Sequence, residues 1–392
     1  MINVAVLGYG TIGSGVVEVL SRNKEIVKKH AGDEIRVTHV LDLREFPGSP
    51  IEEILTHDFE EIAEDDTVDI VVEVMGGTGA AYKFVRKSLE LGKHVVTSNK
   101  ALVAAYGPEL LRIAQENRVS FMFEASVGGG IPIIRPLLRC ITADEIEEIT
   151  GILNGTTNFI LTKMYQEGSA FEPTLKEAQA LGYAEADPTA DIEGHDPCRK
   201  IAILTSLVLG RFVDFEDIRC TGITGVEEAD IAFAKALGRK IKLFGSSFRQ
   251  NGKVYAEVAP AMIGPEHPLY SVDDVMNAIL VRGNMLGDVM FYGAGAGSLP
   301  TASAVVSDII VEARHLEEHI PIPMDPEKME LGDILEAESE YYVRLPKEAA
   351  MPFACSRELS LNEYPQYRVY LTGPLTGKQM EELPQAVFMK LR

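Results

Sequence analysis

The sequence of 392 residues has few features of secreted or membrane-spanning proteins. Its four cysteines, Cys140, Cys198, Cys220 and Cys355, lie far apart with no paired spacing, so we expect free thiols in a reducing compartment. The longest apolar runs, such as Ile201–Leu209, are shorter than the about 20 residues that cross a bilayer. The first predicted strand is not preceded by the basic region and apolar region of a secretory signal peptide. We therefore expect a cytoplasmic protein without a membrane partner.

Basic residues are scarce relative to acidic ones. The chain has 37 Lys and Arg against 59 Asp and Glu, which gives a formal net charge of −22. Nonspecific binding to nucleic acid depends on cations that neutralise phosphates, so we expect no nucleic-acid partner. The length suggests two or three domains of roughly 100–200 residues each.

The first part of the chain alternates short apolar segments with amphipathic helical stretches. The segments are short, β-branched and nearly continuously apolar, as parallel strands covered on both faces should be. This alternation predicts an α/β fold with a Rossmann-type, doubly wound parallel sheet, and we place a dinucleotide-binding domain at residues 1–130. The predicted strands are Ile2–Leu7, Val37–Asp42, Asp69–Met75, His94–Thr97 and Ser120–Glu124.

The pattern changes after about Gly130. Apolar helices and antiparallel strand pairs predict an α+β domain with a mixed sheet at residues 131–320, including a hairpin that turns at Gln250–Lys253. The helix predicted at Thr301–Leu316 is a candidate to pack against the first domain. The proline-rich stretch Ile320–Pro326 indicates a linker, so we assign residues 321–392 to that linker and a small α+β tail.

A glycine motif follows the first strand and opens a helix. In Gly8-x-Gly10-x-x-Gly13 the first glycine allows a tight turn, the second lets the backbone approach a pyrophosphate, and the third lets helix pack on strand. Asp42, at the end of the second strand, favours NAD through the ribose hydroxyls, although it stands further from Gly13 than is usual, and the alternative is that it only caps a loop. Arg44 favours the 2′-phosphate of NADP, so the choice between NAD and NADP stays open.

Five polar clusters interrupt segments that otherwise look like core. Carboxyl ends of parallel strands face the ligand crevice, so Lys100 in the first cluster can meet cofactor and substrate. In the second cluster, Glu124 and three consecutive glycines suit a hard cation that needs oxygen ligands. A plain glycine turn between domains is the simpler interpretation of this cluster. The clusters are Thr97–Leu102, Phe123–Pro132, Gly151–Leu161, Gly182–Lys200 and Tyr292–Ala304.

Taken in order, these clusters resemble the homoserine dehydrogenase family, from the first glycine motif to about residue 316. The long motifs Gly151–Leu161 and Gly182–Lys200 carry most of the resemblance. It implies reversible conversion of L-homoserine and NAD(P)⁺ to L-aspartate 4-semialdehyde and NAD(P)H, in threonine and methionine biosynthesis. It also implies a homodimer or higher homo-oligomer.

The resemblance implies roles for particular positions. The catalytic residues would be Lys200, as the proton donor, and Lys100, as a catalytic or cofactor-binding lysine. The substrate ligands are Glu185, Asp191 and Asp196. A sodium site would consist of the Glu124 side chain and the backbone carbonyls of Val127, Gly129 and Ile131. Together with Asp42 and Arg44, the cofactor-binding positions are Gly8, Gly10, Thr11, Ile12, Gly13, Ser98, Lys100, Gly182 and Gly297.

The chemistry of the reaction agrees with these positions. The ammonium of homoserine requires carboxylates, and hydride addition to an aldehyde leaves an alkoxide that a lysine can protonate. Asp196 and Lys200 are four residues apart, so both can project from one face of a helix. On spacing alone, Asp196 before Pro197 could equally be an N-cap, and Lys200 could extend to solvent. His195 receives no role.

Two other functions remain possible for such a scaffold. One is another Rossmann amino-acid dehydrogenase, such as an aspartate dehydrogenase, against which the acidic cluster Gly182–Lys200 argues. The other is a nonenzymatic NAD(P)-binding regulator, which would not need Lys200. The tail resembles a shortened ACT domain whose first strand is Tyr341–Leu345. The region from Pro346 to Tyr364 has no helical period, so feedback inhibition by threonine is doubtful.

Overall fold

The computed structural model describes all 392 residues, in two compact units. Each unit is assembled from separated stretches of the chain. The first unit comprises Met1–Ala143, Ser206–Asp214 and Gly293–Met329. The second unit comprises Asp144–Thr205, Phe215–Tyr292 and Glu330–Arg392. No helix combines the length and the apolar character needed to cross a membrane.

A six-stranded parallel sheet forms the centre of the first unit. Its strand order, β3-β2-β1-β4-β5-β6, is that of the dinucleotide-binding fold, which confirms the predicted Rossmann-type sheet. Strands β1 and β4 are almost entirely buried, as their nearly continuous apolar sequences predict. The strands are β1 Ile2–Leu7, β2 Ile35–Leu41, β3 Leu55–Thr56, β4 Ile70–Glu73, β5 His94–Thr97 and β6 Phe121–Met122.

Helices surround this sheet, and one of them comes from late in the chain. Helix α12, Ser298–Ala313, packs against helix α1, Thr11–Arg22, within the first unit. The contact is close: a Cβ built on Gly15 would lie 2.7 Å from the Ser298 hydroxyl oxygen. The other helices of the unit are α2 Lys24–Ala31, α3 Phe59–Ala63, α4 Gly79–Glu90, α5 Lys100–Glu116 and α6 Ala125–Gly128; strand β8 Arg211–Phe212 pairs with β14 Asp325–Lys328.

A ten-stranded mixed sheet forms the centre of the second unit, as predicted. Its order is β13-β12-β7-β10-β11-β20-β16-β18-β17, with β9 beside β11. The strands are β7 Ile146–Ile152, β9 Arg219–Cys220, β10 Lys240–Gln250, β11 Lys253–Ile263, β12 Met276–Gly283, β13 Gly287–Ala294, β16 Tyr341–Pro346, β17 Cys355–Leu359, β18 Tyr367–Thr372 and β20 Val387–Leu391. A separate pair consists of β15 Glu338–Ser339 and β19 Leu375–Thr376. The helices are α7 Gly155–Glu167, α8 Phe171–Ala180, α9 Thr189–Ile192, α10 His195–Leu209, α11 Glu228–Ala236 and α13 Gly377–Glu381.

The predicted hairpin between β10 and β11 is confirmed. Gln250 pairs with Lys253, which leaves Asn251 and Gly252 as a two-residue turn. Both turn residues have positive φ, 52° and 78°, the conformation that the Asn-Gly sequence favours. The turn therefore fixes the register of the two longest strands in the sheet.

The C-terminal tail is part of the second unit, which corrects the predicted three-part division of the chain. Strand β20 runs parallel to β11 and antiparallel to β16, so the tail continues the large sheet. A buried ion pair also connects it to α11: Arg344 Nε lies 2.8 Å from Asp230 Oδ1, and the Tyr342 hydroxyl donates to the same oxygen at 2.8 Å. The prediction was wrong because strands β17 and β20 have too little apolar alternation to be recognised.

Candidate active site

The glycine motif forms the turn between β1 and α1 in the first unit. Gly8 has a φ of +98°, and a Cβ on Gly13 would lie 1.9 Å from the Gly8 carbonyl oxygen, so both positions exclude other residues. A Cβ on Gly10 would meet no atom within 4 Å, which leaves that backbone open to a ligand. Helix α1 has no side-chain N-cap and no acidic residue in its first turn, so its N–H groups suit a phosphate.

Asp42 and Arg44 lie beside this turn and bind each other. The two Asp42 oxygens accept hydrogen bonds from Arg44 Nε and Nη2, each at 2.9 Å, and Oδ2 also accepts from the Tyr9 N–H at 2.8 Å. The Arg44 guanidinium holds the pKa of Asp42 well below its usual range. The Arg44 side chain remains 62% exposed at the end of β2, so a guanidinium fixed by a carboxylate faces solvent there.

The loop after β5 contains the predicted positions Ser98 and Lys100. Asn99 caps α5 by accepting a hydrogen bond from the Leu102 N–H at 3.1 Å, and its amide donates to the Gly77 carbonyl at 2.6 Å. Lys100 is the first residue of α5. The cap therefore joins the Ser98–Lys100 segment to the Met75–Gly77 loop after β4.

A buried glutamate that the sequence interpretation did not assign supports both loops. The Glu73 carboxylate accepts hydrogen bonds from the Met75 N–H at 2.9 Å and from the Thr97 hydroxyl at 2.7 Å. Burial raises the pKa of this fully enclosed carboxyl above its usual value. Its signal was available, since Glu73 is the one acidic residue in the apolar run Ile70–Met75.

Gly297 is next to a residue that contacts the glycine turn. It precedes α12 with a φ of +115°, and the neighbouring Ser298 hydroxyl donates to the Thr11 carbonyl at 2.6 Å. A Cβ on Gly129 would lie 2.3 Å from the Gly295 carbonyl oxygen, so two glycine loops meet in this part of the first unit.

The Glu124 side chain does not fit the predicted sodium site. Its Oε1 accepts from the N–H groups of Ile133 and Ile134 at 2.6 and 2.8 Å. Its Oε2 accepts from the Arg135 N–H at 2.8 Å and from Arg135 Nε at 3.2 Å. A carboxylate offers about four lone-pair sites, and these four bonds occupy them. The expectation is corrected because the chain folds its own N–H donors onto this side chain.

In the second unit, Asn154 brings together three of the predicted residues. Its amide nitrogen donates to Asp191 Oδ1 at 2.7 Å and to Asp196 Oδ2 at 2.9 Å. Lys200 Nζ donates to the same Asp196 oxygen at 2.9 Å and to the Leu153 carbonyl at 2.7 Å. Lys200 is only 7% exposed, which excludes the alternative that its side chain extends to solvent.

Asn154 owes its position to the helix that follows it. Its Oδ1 accepts the Thr157 N–H at 2.9 Å, so the residue is the N-cap of α7 and its amide is left to bridge the carboxylates. The sequence interpretation gave Asn154 no role, although it lies in the motif Gly151–Leu161. An asparagine before a helix signals a cap, and nothing in the sequence indicates its second function.

Glu185 and Gly182 lie on the exposed loop that leads to this cluster. The Glu185 carboxylate has no hydrogen-bond or ion-pair partner in the protein, and only its backbone carbonyl is held, by the Gln179 amide at 3.0 Å. Gly182 has a φ of +76° and is exposed. The loop therefore presents an unengaged carboxylate, while Asp191 and Asp196 are held in place.

Comparison with known proteins identifies the family. A model described as homoserine dehydrogenase matches residues 132–310, and one described as homoserine dehydrogenase, NAD binding domain, matches residues 8–124. The homoserine dehydrogenase of Neisseria gonorrhoeae is 44% identical over 355 residues, which cover 88% of this chain and 81% of that protein. The chain belongs to the homoserine dehydrogenase family. It is thus an NAD(P)-dependent oxidoreductase of amino-acid biosynthesis, and the predicted family and enzyme class are confirmed.

Two further homoserine dehydrogenases show how far the similarity extends. That of Bacillus subtilis is 44% identical over 318 residues, which cover 80% of this chain and 73% of that protein. The crystal structure of a homoserine dehydrogenase from Thiobacillus denitrificans matches with a TM-score of 0.88 at 36% identity, covering 100% of this chain and 98% of that one. The C-terminal tail is therefore included in the shared homoserine dehydrogenase architecture.

Proposed function

We propose that this homoserine dehydrogenase interconverts L-aspartate 4-semialdehyde and L-homoserine with Lys200 as the proton donor. The observation that supports this role is the buried Lys200 ammonium, held 2.9 Å from Asp196 and 2.7 Å from the Leu153 carbonyl. A dehydrogenase that reduces an aldehyde needs such a donor at the substrate oxygen.

The residues of the second unit would act on the substrate in two ways. A bound NADPH or NADH supplies the hydride. Lys200 stabilises the negative charge that develops on the aldehyde oxygen and then protonates it, while Asp196 orients the lysine. In the reverse direction, the neutral amine accepts the hydroxyl proton of homoserine.

The carboxylates beside this lysine suit the other end of the substrate. Asp191, fixed by the Asn154 amide, and Glu185, exposed and unengaged, can accept hydrogen bonds from the substrate ammonium. Asp196 is already committed to Lys200 and Asn154 through Oδ2, so we assign it mainly to orienting the lysine.

A turnover assay tests this function. We expect purified protein with L-aspartate 4-semialdehyde to oxidise NADPH or NADH, which is followed by the absorbance of the reduced cofactor. The same protein should not oxidise either cofactor with oxaloacetate and ammonia, the substrates of an aspartate dehydrogenase. Turnover with oxaloacetate and ammonia but not with the semialdehyde would contradict the proposal.

Arg44 should select NADPH over NADH. We expect Arg44→Ala to raise the KM for NADPH by roughly 10–100-fold, because a charge-assisted hydrogen bond to the 2′-phosphate contributes about 1.5–3 kcal/mol. The KM for NADH should change little. Arg22→Ala, which removes another exposed arginine of the first unit, is the control and should change neither value. Equal losses for the two cofactors would rule out a role in phosphate recognition.

Substitutions at two glycines of the turn should have different effects, one on NADPH binding and the other on the stability of the fold. Gly10→Ala should fold normally, since its Cβ meets no protein atom, yet weaken NADPH binding by roughly tenfold because the methyl group occupies the pyrophosphate side. Gly13→Ala should lower the thermal stability, since its Cβ would meet the Gly8 carbonyl. Fluorescence titration with NADPH and thermal unfolding measure both effects. Unchanged NADPH affinity in Gly10→Ala would place the cofactor elsewhere.

Three further properties belong to this proposal. A monovalent cation, expected to be sodium, would rest on the backbone carbonyls of Val127, Gly129 and Ile131 without the Glu124 carboxylate, and no step above depends on it. The active form would be a homodimer or higher homo-oligomer in the cytoplasm. Light scattering of the purified protein tests the oligomer, and turnover with and without sodium tests the cation.

A further inference from the structure

Two of the four cysteines lie together in the second unit. Cys198 is in the first part of α10, where its thiol donates to the Phe215 carbonyl at 3.3 Å, and Cys220 is in β9. The Gly194 carbonyl oxygen accepts both the Cys198 N–H at 3.0 Å and the Cys220 thiol at 3.9 Å. These contacts bring the two cysteines together around one carbonyl, whereas Cys140 and Cys355 are exposed.

The backbone around these cysteines holds them in that arrangement. Cys220 pairs with Val258 of β11, so β9 is fixed to the large sheet. Just after β9, the Ile223 N–H donates to the Ile192 carbonyl at 2.8 Å, and a Cβ on Gly222 would lie 2.1 Å from that same oxygen. The chain after Cys220 is therefore locked against the chain that enters α10.

The surroundings give the two thiols different reactivities. The hydrogen bond from Cys198 and the nearby Arg199 charge lower the pKa of the Cys220 thiol, against the opposing effect of burial. Cys220 is partly accessible, whereas Cys198 is only 3% exposed. An oxidant would therefore react first at Cys220, and Cys198 would be the resolving thiol.

We propose that Cys198 and Cys220 form a peroxide-sensitive dithiol that closes to a disulfide and slows the enzyme. The Cys220 thiolate attacks hydrogen peroxide, which breaks the O–O bond and gives a sulfenic acid and hydroxide. The Cys198 sulfur then attacks the Cys220 sulfur, the S–S bond forms, and the S–OH group leaves as water with the Cys198 proton. A dithiol reductant reverses the change, as for other transient intracellular disulfides.

The position of Cys198 connects this disulfide to catalysis. Cys198 lies between Asp196 and Lys200 on α10, and an S–S bond of about 2.05 Å is shorter than any nonbonded contact between two sulfur atoms. Closing the bond would therefore pull this turn of α10 toward β9. A displacement of about 1 Å in a catalytic group can cost roughly 10²-fold in rate, so we expect at least a tenfold loss of turnover. This loss, unlike the disulfide itself, rests on the proposed role of Lys200.

Peroxide treatment of the full-length enzyme tests both parts. Peptide mapping without reduction should identify a Cys198–Cys220 disulfide, with a tenfold or greater loss of turnover that dithiothreitol restores. Cys220→Ala should keep its turnover under peroxide, and Cys198→Ser should fail to form an intramolecular disulfide. The matched control, a double variant with Cys140→Ala and Cys355→Ala, should respond as the wild type does.

The two readouts separate the possible failures. Peptide mapping decides the disulfide even in protein without homoserine dehydrogenase activity, and its absence in folded wild-type protein would overturn the proposal. A complete disulfide with unchanged turnover would overturn the regulatory part. If Cys198→Ser does not fold, Cys220→Ala alone tests the proposal, because the Cys220 sulfur is the one that peroxide reaches first. Peroxide inactivation of Cys220→Ala to the wild-type extent would also contradict this assignment.

Discussion

Lys200→Ala should lower kcat for reduction of aspartate semialdehyde by roughly 10²–10⁴-fold, the usual contribution of a general acid. The substitution removes the ammonium that lies 2.9 Å from Asp196. It leaves no other lysine in the Asn154 cluster, which consists of Asn154, Asp191, Asp196 and Lys200. The affinity for NADPH should remain within about twofold, since the glycine turn and Arg44 belong to the first unit. Steady-state kinetics and fluorescence titration with NADPH measure the two quantities.

The control for this variant is Arg199→Ala, which removes a neighbouring cation of α10 that takes no part in the Asn154 cluster. Its kcat should stay near that of the wild type. Because Lys200→Ala leaves the Asp196 carboxylate buried without its lysine partner, thermal unfolding must show that the variant is folded during the assay. A folded Lys200→Ala variant with wild-type kcat, or one that loses NADPH binding as well, would exclude Lys200 as the proton donor.

Arg344→Ala should destabilise the protein by about 3–5 kcal/mol, since it leaves the Asp230 carboxylate in the interior without its cation. Both partners are almost completely enclosed, with exposures of 3% and 0%, and only the neutral Tyr342 hydroxyl and Glu227 N–H would remain bound to Asp230. The pair joins the tail to α11, so its loss should loosen the tail strands. Chemical denaturation measures the free energy of unfolding, and limited proteolysis reports where the chain opens.

A surface ion pair in the same tail is the matched comparison. Arg368 lies 3.4 Å from Glu358, and both side chains are substantially exposed. Arg368→Ala should therefore change the free energy of unfolding by less than about 1 kcal/mol. Equal effects of the two substitutions would mean that the Arg344 pair does not anchor the tail. Cleavage that spared the tail strands of Arg344→Ala would have the same meaning.

The sequence was sufficient for the first sheet because its strands follow local rules. Ile2–Leu7 is nearly continuously apolar and His94–Thr97 is centred on two valines, and the structure places both strands at the predicted bounds. The Asn251-Gly252 turn was equally predictable, since few other residue pairs adopt positive φ at two consecutive positions. Strand β20 was not, because its exposure does not alternate regularly and it is fixed by partners distant in the sequence.

The candidate site shows the same limit. Asp196 and Lys200 could be paired from their spacing on one helix, and the structure joins them as expected. The role of Asn154 could not be assigned, since it bridges Asp191 and Asp196, which the sequence keeps far from it. Glu124 was misread for a related reason: a carboxylate near glycines suggests a cation, and only the fold shows that its oxygens accept backbone N–H groups.

The transfer of deuterium from a nicotinamide labelled at C4 tests the central claim most directly. The wild-type enzyme would be incubated with NADPH deuterated at both C4 positions and with L-aspartate 4-semialdehyde, and the amino-acid product analysed by mass spectrometry. The account predicts L-homoserine that carries a single deuterium, on its C4 carbon. Homoserine without deuterium, or a labelled product other than homoserine, would contradict it.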